Sequence, residues 1–210
     1  MDYEFKFDIA GVEYTHDDIV SARIHQPLFQ TFGAGNACSA EMSITVFPKA
    51  TIPRMAKIIA YGKAVNEDKW TRIGVFYTDT RSSEIYGTSR ITTLNAFDAM
   101  LMTEQVYQPE GETGEWPRLA ASVLSDISTR TKIEVDERTA LKSYYIDYPN
   151  EYTMREMLCH IAAAHGGNWI ITAQGKLLLV PLFTSAPLES NYLVYDDGSP
   201  LLFGDVRILL

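Results

Sequence analysis

WTRIGVFYTDTRSSEIYGTSRITTLNAFDAML, residues 70–101, is the stretch that decides the fold. Apolar and β-branched side chains alternate here with a period of two residues, on either side of a polar segment at 79–84. That period is typical of strands with one buried face. The pattern predicts two strands, the second over 89–97, joined by a polar turn. The alternation stops after Asn95, and residues 97–101 predict the start of a helix.

The residues before this stretch predict further short strands. Alternating segments lie at 3–9, 12–14, 19–25, 39–47 and 55–61, with Gly11, Pro27, Pro48 and Pro53 between them. Turn signals at roughly 8–12 residue intervals are typical of a small sandwich or barrel. We therefore expect residues 1–101 to form a β-barrel-like domain.

Residues 102–186 have the pattern of a small α+β domain. Pro117 is placed for the first turn of a helix over 117–130, where its missing N–H costs nothing. Thr153 and Glu156 have the spacing of a capping box at the start of a second helix, which Gly166 and Gly167 would end. The fold class predicted is thus α+β, with a β-barrel or sandwich-like domain followed by a small α+β domain.

The rest of the second part predicts strands. Residues 132–135 and 143–148 predict short extended segments, and residues 169–172 and 176–182 predict a hairpin closed by Gly175. Strand-like runs return over 187–210, with a turn at Asp197 and Gly198. The last run, 205–210, is apolar, so we expect the chain to stop within a second β segment that it leaves incomplete.

Composition narrows the class of function. The 210 residues carry a formal net charge of −9, which argues against general binding to a nucleic-acid backbone. The N-terminus has no basic segment followed by an apolar run, so no signal peptide is expected, and no apolar stretch approaches the ~20 residues that span a bilayer. Cys38 and Cys159 lie in apolar settings far apart and predict two free, buried thiols; a disulfide is the alternative.

Candidates for chemistry are few. Glu156 and His160 share a helical spacing that suits a metal, but no third ligand clusters with them, and His165 suits a helix C-terminus. His16 lies in a predicted turn, and Cys159 falls on a different helix face from His165. We therefore predict no catalytic residue, no metal site and no cofactor, and thus no enzyme.

The loop over 28–38 contains a Gly-x-Gly sequence without the third glycine and the following helix of a nucleotide site. Its aromatic residues, Phe29 and Phe32, are candidates for a contact between subunits.

Several segments resemble, in order, the tail-tip or baseplate hub proteins of tailed bacteriophages and Gram-positive prophages. They are IGVFYTDTR (73–81), ITTLNAFDAML (91–101), Trp116-Pro117 and YTMREMLCHIAAAHGGNWIITAQGKLLLV (152–180). The resemblance implies a virion structural protein that forms a homotrimer, whose paired β-barrel domains make a ring that continues the tail tube. The small α/β domain would lie outboard.

The resemblance also sets expectations for partners and location. Tube, spike or tape-measure proteins would be the neighbours, in a virion tail assembled from protein made in the bacterial cytoplasm, with no membrane and no specific nucleic acid bound. The strands of 70–97 would form part of the ring, which adds Trp70 and Phe76 to the candidate subunit contacts. Some relatives carry a peptidoglycan-cleaving region, and nothing in these 210 residues matches one.

Two other functions stay open at this point. Residues 152–176 loosely resemble a peptidoglycan-binding helix pair, which suggests a cell-wall or carbohydrate-binding module. An endopeptidase is the third hypothesis, and it would need a nucleophile or metal constellation that the sequence does not display.

Overall fold

A computed structural model describes residues 3–29, 33–107, 115–147, 149 and 151–182, together with the backbone of 202–203 and 206–207. In chain order the elements are β1 (Tyr3–Ile9), β2 (Val12–Tyr14), β3 (Ile19–His25), β4 (Asn36–Ala37), β5 (Glu41–Val46), β6 (Lys57–Ala64), β7 (Thr71–Tyr86), β8 (Ser89–Phe97), a 3₁₀ helix (Ala99–Thr103), β9 (Arg118–Leu119), α1 (Ala120–Thr131), β10 (Tyr145–Ile146), α2 (Met154–Ala164), β11 (Gly167–Ile171), β12 (Leu177–Pro181), β13 (Leu202–Phe203) and β14 (Val206–Arg207).

The first part of the chain folds into one seven-stranded antiparallel sheet, ordered β2-β1-β6-β7-β8-β5-β3. This confirms the predicted class, a β domain followed by a small α+β part. Among the described residues the sheet stays open rather than closing into a barrel, because β2 and β3 are both edge strands.

One face of the sheet carries its core. Alternate residues of β1, β5, β7 and β8 are buried, for example Phe7, Ile44, Phe76 and Leu94, each at most 2% exposed. Burying side chains of this size stabilises the fold by about 1.5–3 kcal/mol each. The alternation seen in the sequence therefore corresponds to a one-sided apolar layer.

The long hairpin differs from its prediction. Residues 79–84 belong to β7, which runs unbroken from Thr71 to Tyr86, and the chain turns at Gly87, whose φ is +62°. The register shifts between Thr78 and Thr80, so that Asp79 forms a bulge. The segment is polar because its side chains are exposed on both faces of β7, although Leu94, Thr92 and Ile91 opposite them on β8 are buried. A run of exposed polar residues made a strand resemble a turn.

The sheet curls until its two edges approach each other. The side-chain amide of Gln26, just after β3, lies 3.5 Å from the Ile73 carbonyl of β7. A short turn from Thr15 to Asp18 links the two edge strands at one end of the sheet. Lys49 holds this turn in place through a 2.6 Å ion pair with Asp18. Beyond this turn the edges separate.

The second part packs two helices against a three-stranded sheet, ordered β12-β11-β4, in which β4 runs parallel to β11. Its core centres on Trp169, which is fully buried and donates its indole N–H to the Leu158 carbonyl at 2.8 Å. The predicted capping box of Thr153 and Glu156 is present, and Gly166, with φ of +60°, ends the helix as expected. The predicted hairpin of β11 and β12 is also confirmed.

The start of the first helix was predicted wrongly. The Trp116-Pro117 peptide bond is cis, and residues 118–119 form β9, paired with β10. The helix α1 then begins at Ala120 rather than in the turn containing Pro117. The segment 132–135 contributes only an isolated bridge, from Val135 to Leu177. The predicted turn at 197–198 and most of the C-terminal run lie outside the described residues.

Candidate subunit-contact surface

The four candidate contact residues do not form one patch. Phe29 is 43% exposed and lines a shallow depression beside Phe97 and Arg155. Phe32 lies outside the described residues. Trp70 is half-buried at the start of β7, whereas Phe76 is fully buried in the core of the sheet. Phe76 was therefore a wrong choice, because its side chain has no exposed surface to offer another subunit.

Trp70 is held in a small charged cluster. The ammonium groups of Lys6 and Lys63 lie 4.9 and 5.2 Å from the centroid of its ring, within the range of cation–π attraction. Lys6 forms an ion pair with Glu13, with nitrogen and oxygen 2.8 Å apart, and Lys63 forms one with Glu4 at 3.1 Å. The indole is thus positioned from two neighbouring strands, β1 and β6.

Trp70 also borders an apolar groove between the two edges of the curled sheet. The groove has a volume of about 810 Å³ and lies between β1 and β3; we call it the seam groove. Its apolar wall includes Tyr3, Phe5, Ile19, Ile24, Trp70 and Ile73. Tyr3 and Phe5 are 56% and 50% exposed, although they occupy the face of β1 that is buried further along the strand at Phe7. Among the residues that the structure describes, nothing covers the seam groove, which continues the core along β1.

A buried amide positions the loop that carries Phe29. The side-chain oxygen of Asn168 accepts from the Asn36 N–H at 2.9 Å, and its NH₂ group donates to the carbonyls of Leu28 and Gly33 at 2.9 and 3.2 Å. Asn168 is fully buried, so these bonds satisfy groups that water cannot reach. The loop is thereby fastened to β11.

A buried carboxylate joins the sheet to the second part of the chain. Asp98 accepts hydrogen bonds from the Ala40 N–H at 2.7 Å, and from the Ser39 hydroxyl and the Met100 N–H at 3.0 Å each. Burial raises the pKa of Asp98 to about 6, although the three donors act to lower it. This carboxylate caps the 3₁₀ helix where the chain leaves β8.

A second polar cluster supports α1. The buried Tyr107 hydroxyl donates to Asp126 at 2.8 Å, and Arg130 donates to the same carboxylate at 3.2 Å. Burial raises the pKa of Tyr107 above its usual value, and the bond to Asp126 raises it further. Burial also acts to raise the pKa of Asp126, but Tyr107 and Arg130 hold it below its usual value. Each charge has a partner within the fold, so the cluster is structural.

The residues weighed for metal or nucleophilic chemistry have other partners. Glu156 accepts from the Thr153 N–H at 2.8 Å, the His160 ring packs on Tyr152, and His165 accepts from the Lys142 N–H at 2.8 Å. In the described part of the chain no group of three His, Cys, Asp or Glu side chains could hold a metal ion.

The remaining sequence candidates are also placed. His16 and Asp17 are exposed neighbours, 3.1 Å apart. Neither Cys38 nor Cys159 forms a disulfide, as predicted, but only Cys38 is buried. Within the described ranges no helix is long and apolar enough to cross a membrane.

Sequence reasoning missed the seam groove, Asn168 and Asp98. The groove depends on how far the sheet curls, which no local pattern encodes. Asn168 and Asp98 each bond to residues more than fifty positions away. A polar residue inside an otherwise apolar stretch was the only available signal, as with Asn168 between Gly167 and Trp169.

Comparisons with known proteins extend these observations. No protein-family model matches the chain, and no curated protein sequence matches it. Among solved structures, a tail protein from Neisseria meningitidis matches with a TM-score of 0.60 and 11% identity, over 91% of this chain and 59% of its own. A 43 kDa tail protein of a Shewanella oneidensis prophage matches with a TM-score of 0.58 and 15% identity, over 89% and 58%.

The fold is similar to that of these tail proteins. A third match, prophage tail protein gp18 from Listeria monocytogenes, has a TM-score of 0.50 and 9% identity, over 92% of this chain and 55% of its own. The chain thus spans less than two thirds of the length of each of these three proteins. At such low identity the likeness establishes the fold, and a role in the tail follows only as a proposal.

Proposed function

We propose that this chain is a structural component of a phage or prophage tail, a tail-tip or baseplate hub whose copies form a ring that continues the tail tube. The observation that carries the proposal is the match of about nine tenths of the chain to two tail proteins with TM-scores near 0.6. A homotrimer contacting tube, spike or tape-measure proteins is the form we propose for the assembly.

The surface chemistry supports this role. A ring needs exposed strand edges and apolar surface on each copy, and the seam groove supplies both. The net charge of −9 would repel the phosphate backbone, so that DNA could pass without binding. The described polar clusters serve the fold, which favours a scaffold over an enzyme.

A cell-wall or carbohydrate-binding module has less support. A sugar ring would stack on an open aromatic face, but Lys6 and Lys63 lie over the ring of Trp70, the tryptophan that borders the seam groove. Sedimentation with purified cell walls checks this alternative, and robust binding of the chain would favour it.

Gold-labelled antibodies against this chain test the main proposal on tails purified from the strain that encodes it. We expect one label at the distal end of each tail and none on tails from a strain lacking the gene. Label distributed along the tube, or absent from all tails, would contradict a hub.

A further inference from the structure

We propose that the tip of the β7–β8 hairpin of one copy docks in the seam groove of the next copy, giving a head-to-tail contact. The inference rests on the proposed function, since a tail ring needs one contact that repeats between copies. The two surfaces that make that contact are the seam groove and the hairpin tip. We define the hairpin tip as residues 85–89.

The hairpin tip is an apolar surface that the described part of its own chain leaves exposed. Ile85 is 80% exposed and Tyr86 is 64% exposed, which is unusual for adjacent large apolar side chains. The neighbouring strands end before them: β6 pairs with β7 only as far as Tyr77, and β5 pairs with β8 only from Thr92 onward, which lies opposite Ser83. A two-stranded ribbon is marginal by itself, so docking against a partner would stabilise it.

The seam groove has the complementary properties. Its walls are mostly apolar, although Glu4, Lys6 and His16 also line it. In the described part of the chain, its strands present backbone groups with no strand opposite them. Within the described residues β2 pairs with β1 only over Phe7–Ile9, so the edge at Glu4–Lys6 has no neighbour on that side. Among the described strands, β3 pairs with β5 alone. Such edges accept an added strand through main-chain hydrogen bonds, with side-chain pockets providing selectivity.

The sizes of the two surfaces agree. A strand residue occupies ~160 Å³ if strands lie ~4.8 Å apart, stacked layers ~10 Å apart and residues ~3.3 Å apart along the chain. The groove of about 810 Å³ therefore has room for about five residues. The hairpin tip, Ile85-Tyr86-Gly87-Thr88-Ser89, has that length.

The tip cannot occupy the groove of its own chain. Ile73 lies in the groove wall near the start of β7, and Ile85 lies near the end of the same strand. Twelve residues of extended chain separate them by about 40 Å. A docked tip would therefore come from another copy. The contact would be heterologous, and such a contact closes into a ring when the rotation between copies allows it.

The net charge predicts how association through this contact depends on salt. Because every copy carries a net charge of −9, long-range repulsion opposes association, and the docked surfaces themselves are mostly apolar. Added salt screens the repulsion and leaves the apolar contact intact. Association through this contact should become stronger with salt, whereas a contact made of ion pairs would weaken.

The experiment measures the oligomeric state of the 210-residue chain by sedimentation velocity, in the wild type and in two variants. Ile85→Asp places a charge on the tip, and Ala22→Glu places one in the groove wall. Both side chains are exposed, so both variants should fold, which circular dichroism checks. Tyr145→Asp, an exposed position on β10, is the matched control.

We expect the wild type and the Tyr145→Asp control to associate, and each of the other two variants to be monomeric by itself. Mixing Ile85→Asp with Ala22→Glu should restore a dimer, because one copy keeps an intact groove and the other an intact tip. The dimer should not grow further, since the remaining tip and groove are both disabled.

Three results would overturn the inference: a monomeric wild type, association of both variants to the wild-type extent, or a mixture that stays monomeric. Loss of association in Tyr145→Asp would also place the contact elsewhere. None of these outcomes changes the gold-labelling result, so a labelled tail tip with a monomeric wild type would leave the hub proposal standing without this contact.

Discussion

Asn168→Asp tests whether one buried amide holds the loop that carries Phe29. The substitution keeps the size of the side chain but replaces its NH₂ group with oxygen. The groups facing that position are the carbonyls of Leu28 and Gly33, at 2.9 and 3.2 Å, so the variant sets oxygen against oxygen. The Gly33 carbonyl also accepts a hydrogen bond from the Asn36 side chain at 2.8 Å and would keep it in the variant. The Leu28 carbonyl would lose its bond to residue 168, so the larger energetic cost arises there.

The cost follows from these contacts. Each buried hydrogen bond that loses its donor costs about 1–3 kcal/mol, so the free energy of unfolding should fall by about 3 kcal/mol at pH 7. Burial among carbonyls would raise the pKa of the new carboxyl above its unfolded value of about 3.9. Protonation then favours the folded state and supplies an O–H that can donate to Leu28, so the deficit should shrink as pH falls toward 4.

Urea unfolding followed by tryptophan fluorescence at pH 7 and pH 5 measures both effects. Asn95→Asp is the control, because that exposed amide contacts only the Thr80 and Ser43 hydroxyls among the described bonds, and its cost should stay below about 0.5 kcal/mol. If Asn168→Asp were as stable as the wild type at pH 7, or equally impaired at both pH values, the proposed role of the amide would be refuted.

Three further changes probe the supports of the fold. The pKa of Asp98 is about 6 in the folded chain against 3.8 for the free group, so its ionisation should remove roughly 3 kcal/mol of stability as pH rises from about 4 to 6. Asp98→Asn should abolish that part of the pH dependence, as measured by urea unfolding across this range. Thr153→Ala removes the N-cap of α2 and should lower the free energy of unfolding by about 1 kcal/mol in the same assay. Thr129→Ala, on the exposed face of α1, is the control and should leave that free energy nearly unchanged. Leu158→Ala opens a cavity at a fully buried position and should lower the free energy of unfolding by about 2–5 kcal/mol. The urea midpoint should fall while the slope of the transition stays unchanged. A midpoint equal to that of the wild type would contradict the packing described.

Features encoded by neighbouring residues could be predicted from the sequence. The capping box of Thr153 and Glu156, the stop at Gly166 and the alternation in β1 each depend on residues within a few positions of one another. Local hydrogen bonding and side-chain period determine these features wherever they occur, and the structure has them where they were expected.

Features that depend on distant residues could not be predicted. Alternation along β7 separates two faces without saying which is buried, so Phe76 was taken as a surface residue although it belongs to the core. The two residues of β4 form a strand only because β11 lies beside them. The polar segment at 79–84 follows the rule for turns, but the exposure of its side chains within β7 explains the polarity equally well.

The candidate contact surface likewise combines features that the sequence could predict with features that it could not. The sequence suggested Trp70 as a candidate contact residue, and in the structure Trp70 lines the seam groove. The groove itself exists because the two edges of the curled sheet approach each other without pairing, which depends on the twist and length of every strand between them. The exposed tip at Ile85 and Tyr86 likewise becomes visible only once β5 and β6 are seen to end short of it.

The copy number of this chain in purified tails tests the central claim most directly. Quantitative mass spectrometry, with isotope-labelled peptides as standards, measures this chain against the abundant tube protein. A ring at one end of the tail predicts a small fixed number, about three copies per tail for a cyclic trimer, independent of tail length. A number that rises with tail length, or tails without this chain, would contradict the account.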